Sequence, residues 1–413
     1  MRAVTAFVAV AIPACAHAQG VPANIGVAER ARPDYDPIGG RIGSFILYPR
    51  IEVAASYDDN IYATPSNTTS DEIIAITPAI RLVSQWQRNS VDLNASYTRN
   101  AYLNNDSENS SVIQGNAAGV LDISRQTRVR LQAVAGRFVE SRTSFNAVSF
   151  TASPTQFTRF GGRLGVDQEF TNFSITAEGG VQKVSFKDSR LPNGANYDQS
   201  FRNNTLSDAT VRFRYGFRGG ASAIAQITAD SLHYENELPS GLGFVPFDRD
   251  STGYKAEVGL ALELSSLLYG DVRIGYLRRN AADPTIRDVS GLSFGANMLW
   301  NVTPLTSVRF IANRTTEDSN SRIVAGNLRS EGTVQVNHEL LRNLILDASL
   351  RYAVISPIGP IDDSDEVEGR VGATYFINRR FGLTASYRLY KRSSDILNDF
   401  TSNRLTLTLV TRF

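Results

Sequence analysis

The chain has 413 residues and a formal net charge of +1, so no charge excess points to a nucleic-acid partner. Its mean hydropathy is slightly negative, which excludes a bundle of membrane-crossing helices but not a barrel, whose polar and apolar residues alternate and average out. One cysteine in the whole sequence excludes an internal disulfide framework.

Residues 1–18 read as a secretory signal. Arg2 supplies a positive start, Ala3 to Ala14 an apolar stretch too short to span a bilayer as a helix, and Ala16-His17-Ala18 a small-x-small cleavage site before Gln19. The single cysteine, Cys15, falls inside this segment, so the mature chain is expected to hold no thiol nucleophile or thiolate metal site. A lipidated Cys15 is the alternative, and Pro13 two places upstream fits it poorly. Residues 19–45 carry Pro22, Pro33 and Pro37 and do not follow the pattern of the rest. They are expected to form a periplasmic arm or a segment tucked into a lumen mouth.

From residue 46 onward the period is two. Val91, Leu93, Ala95 and Tyr97 alternate with Asp92, Asn94, Ser96 and Thr98, and Leu344, Leu346, Ala348 and Leu350 with Asp347, Ser349 and Arg351. The segments are too long for the strands of a soluble sandwich and suit tilted strands that cross an apolar band. Short turns are expected near Arg88-Asn89, Ser124–Gln126, Thr171-Asn172, Arg218-Gly219, Ser265-Ser266, Thr303-Pro304, Arg342-Asn343 and Asn378–Arg380. Longer polar loops fall between them, among them Phe145–Pro154, Arg190–Ser200, Pro239–Asp248, Asp318–Gly326 and Pro357–Asp365. Alternating short turns and long loops predict an all-β fold, an antiparallel up-and-down transmembrane barrel of about 18 strands over residues 46–413.

The last strand places Leu405, Leu407, Leu409 and Phe413 on one side and Arg404, Thr406, Thr408 and Arg412 on the other. An alternating strand that ends on an aromatic resembles the insertion signal of bacterial outer-membrane barrels. Aromatic girdles are expected from Trp86, Phe170, Phe173, Phe217, Tyr269, Trp300, Phe376 and Phe381 at the short turns, and from Tyr57, Tyr102, Phe186, Tyr276 and Tyr390 toward the long loops. The arginines settle which face is inside. One lipid-facing Arg at mid-bilayer costs about 2–4 kcal/mol, so turning the charged face outward would cost roughly 10 kcal/mol even with half of them near an interface. A marginally stable fold could not absorb that.

Arg32 to Phe45, then Tyr48-Pro49 and Tyr57 to Ala63, resemble the β-barrel porin type 2 family of Gram-negative bacteria. The resemblance implies an outer-membrane barrel whose relatives are often linked to exopolysaccharide production. It supplies no map of catalytic or binding residues.

Catalysis finds little footing. His233 and His338 are the histidines beyond the signal, and they fall toward opposite ends of their strands among apolar neighbours, with no placeable acid or nucleophile. Asp58-Asp59-Asn60 could hold a divalent cation, but a solvated turn is the simpler reading. The same holds for Asp362, Asp363, Asp365 and Glu366, where calcium bridging to lipopolysaccharide phosphate is conceivable. No enzyme activity, cofactor or metal site is expected.

The pore-lining candidates are Arg163, Arg212, Arg214, Arg273, Arg309, Arg351, Arg370 and Arg388, with Arg130 beside them and Glu178, Glu257 and Glu368 among the carboxylates facing them. They either select anions or carboxylated sugars, or brace the wall as ion-pair ladders. The expected function is an outer-membrane pore, a conduit or accessory for exopolysaccharide secretion, with a diffusion porin for small solutes or a closed adhesive barrel as alternatives. Expected partners are outer-membrane lipid and lipopolysaccharide, the barrel-assembly machinery and, as the resemblance implies, polysaccharide and periplasmic export proteins.

Overall fold

The structure, a computed structural model, describes residues 25–217, 219–236, 248–264, 267–286, 288–317, 319, 326–358, 363–394 and 399–413. The expected signal at 1–18, the turn at Ser265-Ser266, Arg218, Asp362 and most of the loops Pro239–Asp248 and Asp318–Gly326 lie outside these residues. Helix among the described residues is confined to three short 3-10 turns.

Eighteen antiparallel strands follow one another in chain order and close on themselves. They run from 12 residues (Thr306–Glu317) to 15 (Asn327–Leu341). The first, Phe45–Asp58, pairs with the last, Phe400–Arg412, from Arg50 opposite Arg412 to Asp58 opposite Arg404. Closure leaves every strand two neighbours, so no edge of unpaired amides faces an apolar medium.

The period-two pattern becomes the two faces of this wall. Leu405, Leu407, Leu409 and Phe413 lie exposed on the outside, whereas Ser402 is fully buried on the inside of the same strand. Ile51 and Val53, Ile76 and Ile80, Val258 and Leu260, and Val272 and Ile274 continue the outer apolar band. Leu407→Arg places a guanidinium in that band and should cost about 2–4 kcal/mol if it sits near mid-bilayer. The expected result is less heat-modifiable, membrane-inserted protein, while Thr408→Arg, on the lumen side, should assemble normally.

Short turns and long loops segregate to opposite ends. Trp86, Phe170, Phe217, Trp300 and Phe381 are exposed on the outer wall near the short-turn end, and Tyr57 and Tyr276 toward the other. Five girdle candidates instead point inward by register: Tyr102, Phe186, Tyr269, Phe376 and Tyr390. Tyr390 is buried against Phe400, and Phe186 packs on Phe157. Position along a strand fixes height in the membrane, but only parity fixes the face. Asp365 and Glu366 also depart from expectation. The strand Ser364–Phe376 begins before them, so Glu366 enters the lumen wall instead of a solvated loop.

Residues 25–44 precede the first barrel strand and pack at the short-turn end. Val27 is fully buried, and its N–H donates to Ser307 Oγ at 2.9 Å. Glu29 pairs with Arg309 at 2.8 Å, and Arg32, itself buried, pairs with Glu339 at 3.3 Å and lies over the Phe376 ring. The arm then turns back at Gly39, whose φ is +74° and where an added Cβ would lie 2.5 Å from Ile46 Cγ2, so no side chain fits. Gly40–Ile42 forms a small hairpin with Phe45–Leu47 through Gly43, φ +59°.

Candidate functional site

Among the described residues, one loop crosses the lumen. Residues 140–155 join the strands Thr127–Val139 and Gln156–Glu169, the fifth and sixth around the barrel. Yet Thr143 O accepts from Arg392 Nη2 at 2.7 Å, and Asn146 Oδ1 accepts from Asn327 Nδ2 at 3.4 Å. Arg392 and Asn327 belong to the seventeenth and fourteenth strands, on the far wall. A loop that leaves one wall and touches the other must span the bore.

Arginine holds it there. Arg142 donates to both oxygens of Glu108 at 3.1 and 2.7 Å, to Val148 O at 3.2 Å, and to Thr151 O and Oγ1 at 2.9 and 3.0 Å. Both charges are buried, so the five donated bonds offset their lost hydration. At the base of the loop Glu140 takes Arg202 at 2.8 and 3.1 Å, and Arg202 stacks over the Phe186 ring at 3.9 Å. The fork of a guanidinium serves a carboxylate and several carbonyls at once, which an ammonium cannot do.

Below the loop, guanidinium and carboxylate groups alternate along the wall. Arg163 binds Asp208 at 2.6 Å and Glu178 at 3.5 Å, while Arg130 binds Asp167 at 2.7 Å and Glu178 at 3.6 Å. Arg273 reaches Asp271 at 3.3 Å and Glu257 at 4.0 Å, and Glu257 also accepts from Ser293 at 2.6 Å. Arg212 donates to Gln226 at 2.7 Å and Arg214 to Glu263 at 2.5 Å. Arg309 is taken up by Glu29 of the arm. The densest knot is Glu366, buried among Arg329, Arg351 at 3.2 Å and Arg392 at 3.5 Å, with Arg351 going on to Glu368 at 2.8 Å. Arg370 and Arg388 stand apart from these ladders. Loop and wall together line a cavity of about 530 Å3 that opens to solvent.

The remaining candidates hold structure. Asp58 is held by Arg404 at 2.7 Å, Ser402 at 3.1 Å and the Asn60 N–H at 2.9 Å, and Asp59 by the backbone and side chain of Asn403, both at 2.7 Å. Their oxygens secure the closing seam of the barrel. His233 has a partner that the sequence did not reveal, Asp250 at 2.5 Å, whose other oxygen caps the Tyr234 N–H at 2.7 Å. That pair sits exposed at the long-loop end, while His338 bonds Thr306 at 2.9 Å near the short turns.

A closed wall of alternating strands with charges turned inward and lipid-compatible side chains outward is the frame of a membrane pore. Residues 32–413 match the family described as Putative beta-barrel porin 2. The chain belongs to that family. It is thus an outer-membrane β-barrel porin, and the match begins at Arg32, within the arm. No curated protein matches this porin. Among solved structures it is similar to the copper transporter OprC, at 10% identity and TM-score 0.48 over 91% of this chain and 82% of that one. It is also similar to OccAB4 of Acinetobacter baumannii, at 12% identity and TM-score 0.45 over 89% and 98%. A bacterial polysaccharide outer membrane secretin follows at 10% identity and TM-score 0.38 over 88% and 98%. These likenesses assign no cargo.

Sequence reasoning missed the residues that fill the porin's bore. Arg142, Arg202 and Arg392 hold the loop, and Glu108 lies in a stretch that reads as a polar loop. A trace was present: basic residues are almost all Arg, with Lys only at 183, 187, 255 and 391. That bias fits buried, multiply bonded cations better than a merely solvated surface.

Proposed function

We propose that this porin is a passive pore for small hydrophilic solutes in the outer membrane of a Gram-negative bacterium, with no covalent chemistry of its own. The observation that supports this is the loop 140–155 lying across the bore. An 18-stranded wall alone would leave a wide aqueous channel. The loop helps to line a cavity of about 530 Å3, in the range that holds single small molecules, roughly 300–1,000 Å3. Planar-bilayer recording tests the reading. Stable open-channel current from the purified barrel supports it, and a folded barrel that conducts nothing in any condition favours a closed adhesive barrel.

A second reading is a conduit or accessory for exopolysaccharide secretion, working with periplasmic export proteins. Its support is the resemblance carried by Arg32 to Ala63 and the fact that the loop 140–155 lies outside the barrel strands. Its displacement would leave the wall intact. In a clean deletion strain, this reading expects surface polysaccharide to fall and to return on complementation. Unchanged secretion would leave the small-solute pore alone.

A further inference from the structure

Among the described residues, the outer face of the strands carries no charged side chain in the short-turn half of the wall. Toward the long loops the same face carries Arg99, Arg137, Lys183, Arg278, Arg314 and Lys391 against Glu72 and Asp365. Long loops of an outer-membrane barrel are extracellular, so this excess of cations lies at the height of the outer-leaflet headgroups. Both carboxylates have partners in the protein. Glu72 accepts from Asn104 Nδ2 at 3.2 Å and Asp365 from the Tyr352 hydroxyl at 2.6 Å. Lys183 pairs with Glu235 at 2.5 Å and Arg278 with Asp288 at 2.9 Å. Arg99 and Arg137 have no ion-pair partner among the described residues, and they stand together.

The register brings them to one spot. Tyr97, Ile113 and Arg137 lie directly opposite one another on the third, fourth and fifth strands of the barrel. Arg99, beyond Tyr97 on the third strand, reaches across to the fourth, where its Nη1 donates to Ser111 Oγ at 3.2 Å. Ser111 is a diagonal neighbour of Arg137, about 7–8 Å away between backbones, within the reach of an arginine side chain. The Tyr97 hydroxyl lies 3.1 Å from the same Ser111 Oγ. Two guanidiniums and two hydroxyls thus converge above Ile113. All of them face away from the bore, on the side where Leu93, Tyr97, Ile113 and Leu131 are exposed. The lumen wall answers its arginines with carboxylates such as Asp167 and Asp208; here the protein supplies none.

We propose that Arg99 and Arg137, with the hydroxyls of Tyr97 and Ser111, bind a phosphate of lipopolysaccharide in the outer leaflet. A phosphate carries several strong acceptor oxygens and matches the fork of a guanidinium, so one group can take donors from both arginines. The exposed apolar side chains of Leu93, Ile113 and Leu131 lie on the same face, toward the membrane interior, where the acyl chains of such a lipid run. Charge complementarity decides the occupant. A second copy of this chain docking through the same face would set these arginines against their own kind, whereas an anionic lipid neutralises them. The inference goes beyond the pore reading and does not depend on what the bore carries.

Diphosphoryl lipid A and the same lipid stripped of its phosphates are the probes, since they share their chains and differ in charge. Native mass spectrometry of the purified, detergent-held barrel, with divalent cations chelated, should show the phosphorylated lipid bound and the stripped one absent. The double variant Arg99→Gln, Arg137→Gln should lose at least tenfold in affinity. Arg128→Gln, which removes a charge beside Asp122 at the short-turn end, should bind as the unaltered chain does. Equal binding of the two lipids, binding of neither, or an unchanged double variant would overturn the proposal. Displacement of the lipid by an equal concentration of inorganic phosphate would also overturn it, because the site would then take the free anion. If the double variant fails to fold, the two-lipid comparison and the phosphate competition on the unaltered chain still decide.

Discussion

Arg142→Ala should release the loop from the lumen and raise single-channel conductance. The side chain donates to Glu108, Val148 and Thr151, and no other described cation lies within ion-pair distance of Glu108. Removing one partner of a buried pair costs about 3–5 kcal/mol, largely because the remaining charge is left without compensation. Here the strands do not depend on Arg142, so the cost falls on the loop. At 1.4 kcal/mol per decade, about 3 kcal/mol raises the loop-open population roughly a hundredfold. Limited proteolysis should then cut between residues 140 and 155 while the barrel core stays intact. Protection equal to that of the unaltered chain would show that the loop is held mainly by Arg392 and Arg202.

Glu366→Gln should act on the wall itself. Glu366 is the shared carboxylate of Arg329, Arg351 and Arg392, all three of them largely buried. A neutral amide there leaves guanidiniums crowded on neighbouring strands with one anion fewer, for a loss of about 3–5 kcal/mol. Arg392 also bonds Thr143 O, so the loop loses an anchor in the same step. The expected result is a lower unfolding temperature by heat-modifiability on gels, together with a noisier open channel. A variant as stable as the unaltered chain would mean that water in the lumen already screens the cluster.

The strands were readable because a lumen wall imposes the simplest pattern a sequence can carry. Leu405-Thr406-Leu407-Thr408-Leu409 must alternate, since each residue faces lipid or water and nothing between. The inward arginines were readable for the same reason, as the cost of exposing them to lipid fixed their face. What fills the bore obeys no period. Arg142 and Glu108 are 34 residues apart, and Arg392 and Thr143 are 249 apart, so neither pair leaves a local trace. The arm stood between these cases. Its prolines set it off from the strands, and Gly39 marks where it must turn, but nothing in its composition names Glu339 or Arg309 as the groups that receive it. Aromatics misled where height was read and parity was not, as at Tyr390 and Phe376.

The most direct test of this account is single-channel recording of the refolded porin beside Arg142→Ala in the same planar bilayers. The account predicts a small, steady conductance for the unaltered porin and a larger, less steady one for the variant. Equal conductance in two folded barrels would contradict the claim that the loop 140–155 sets the width of the pore.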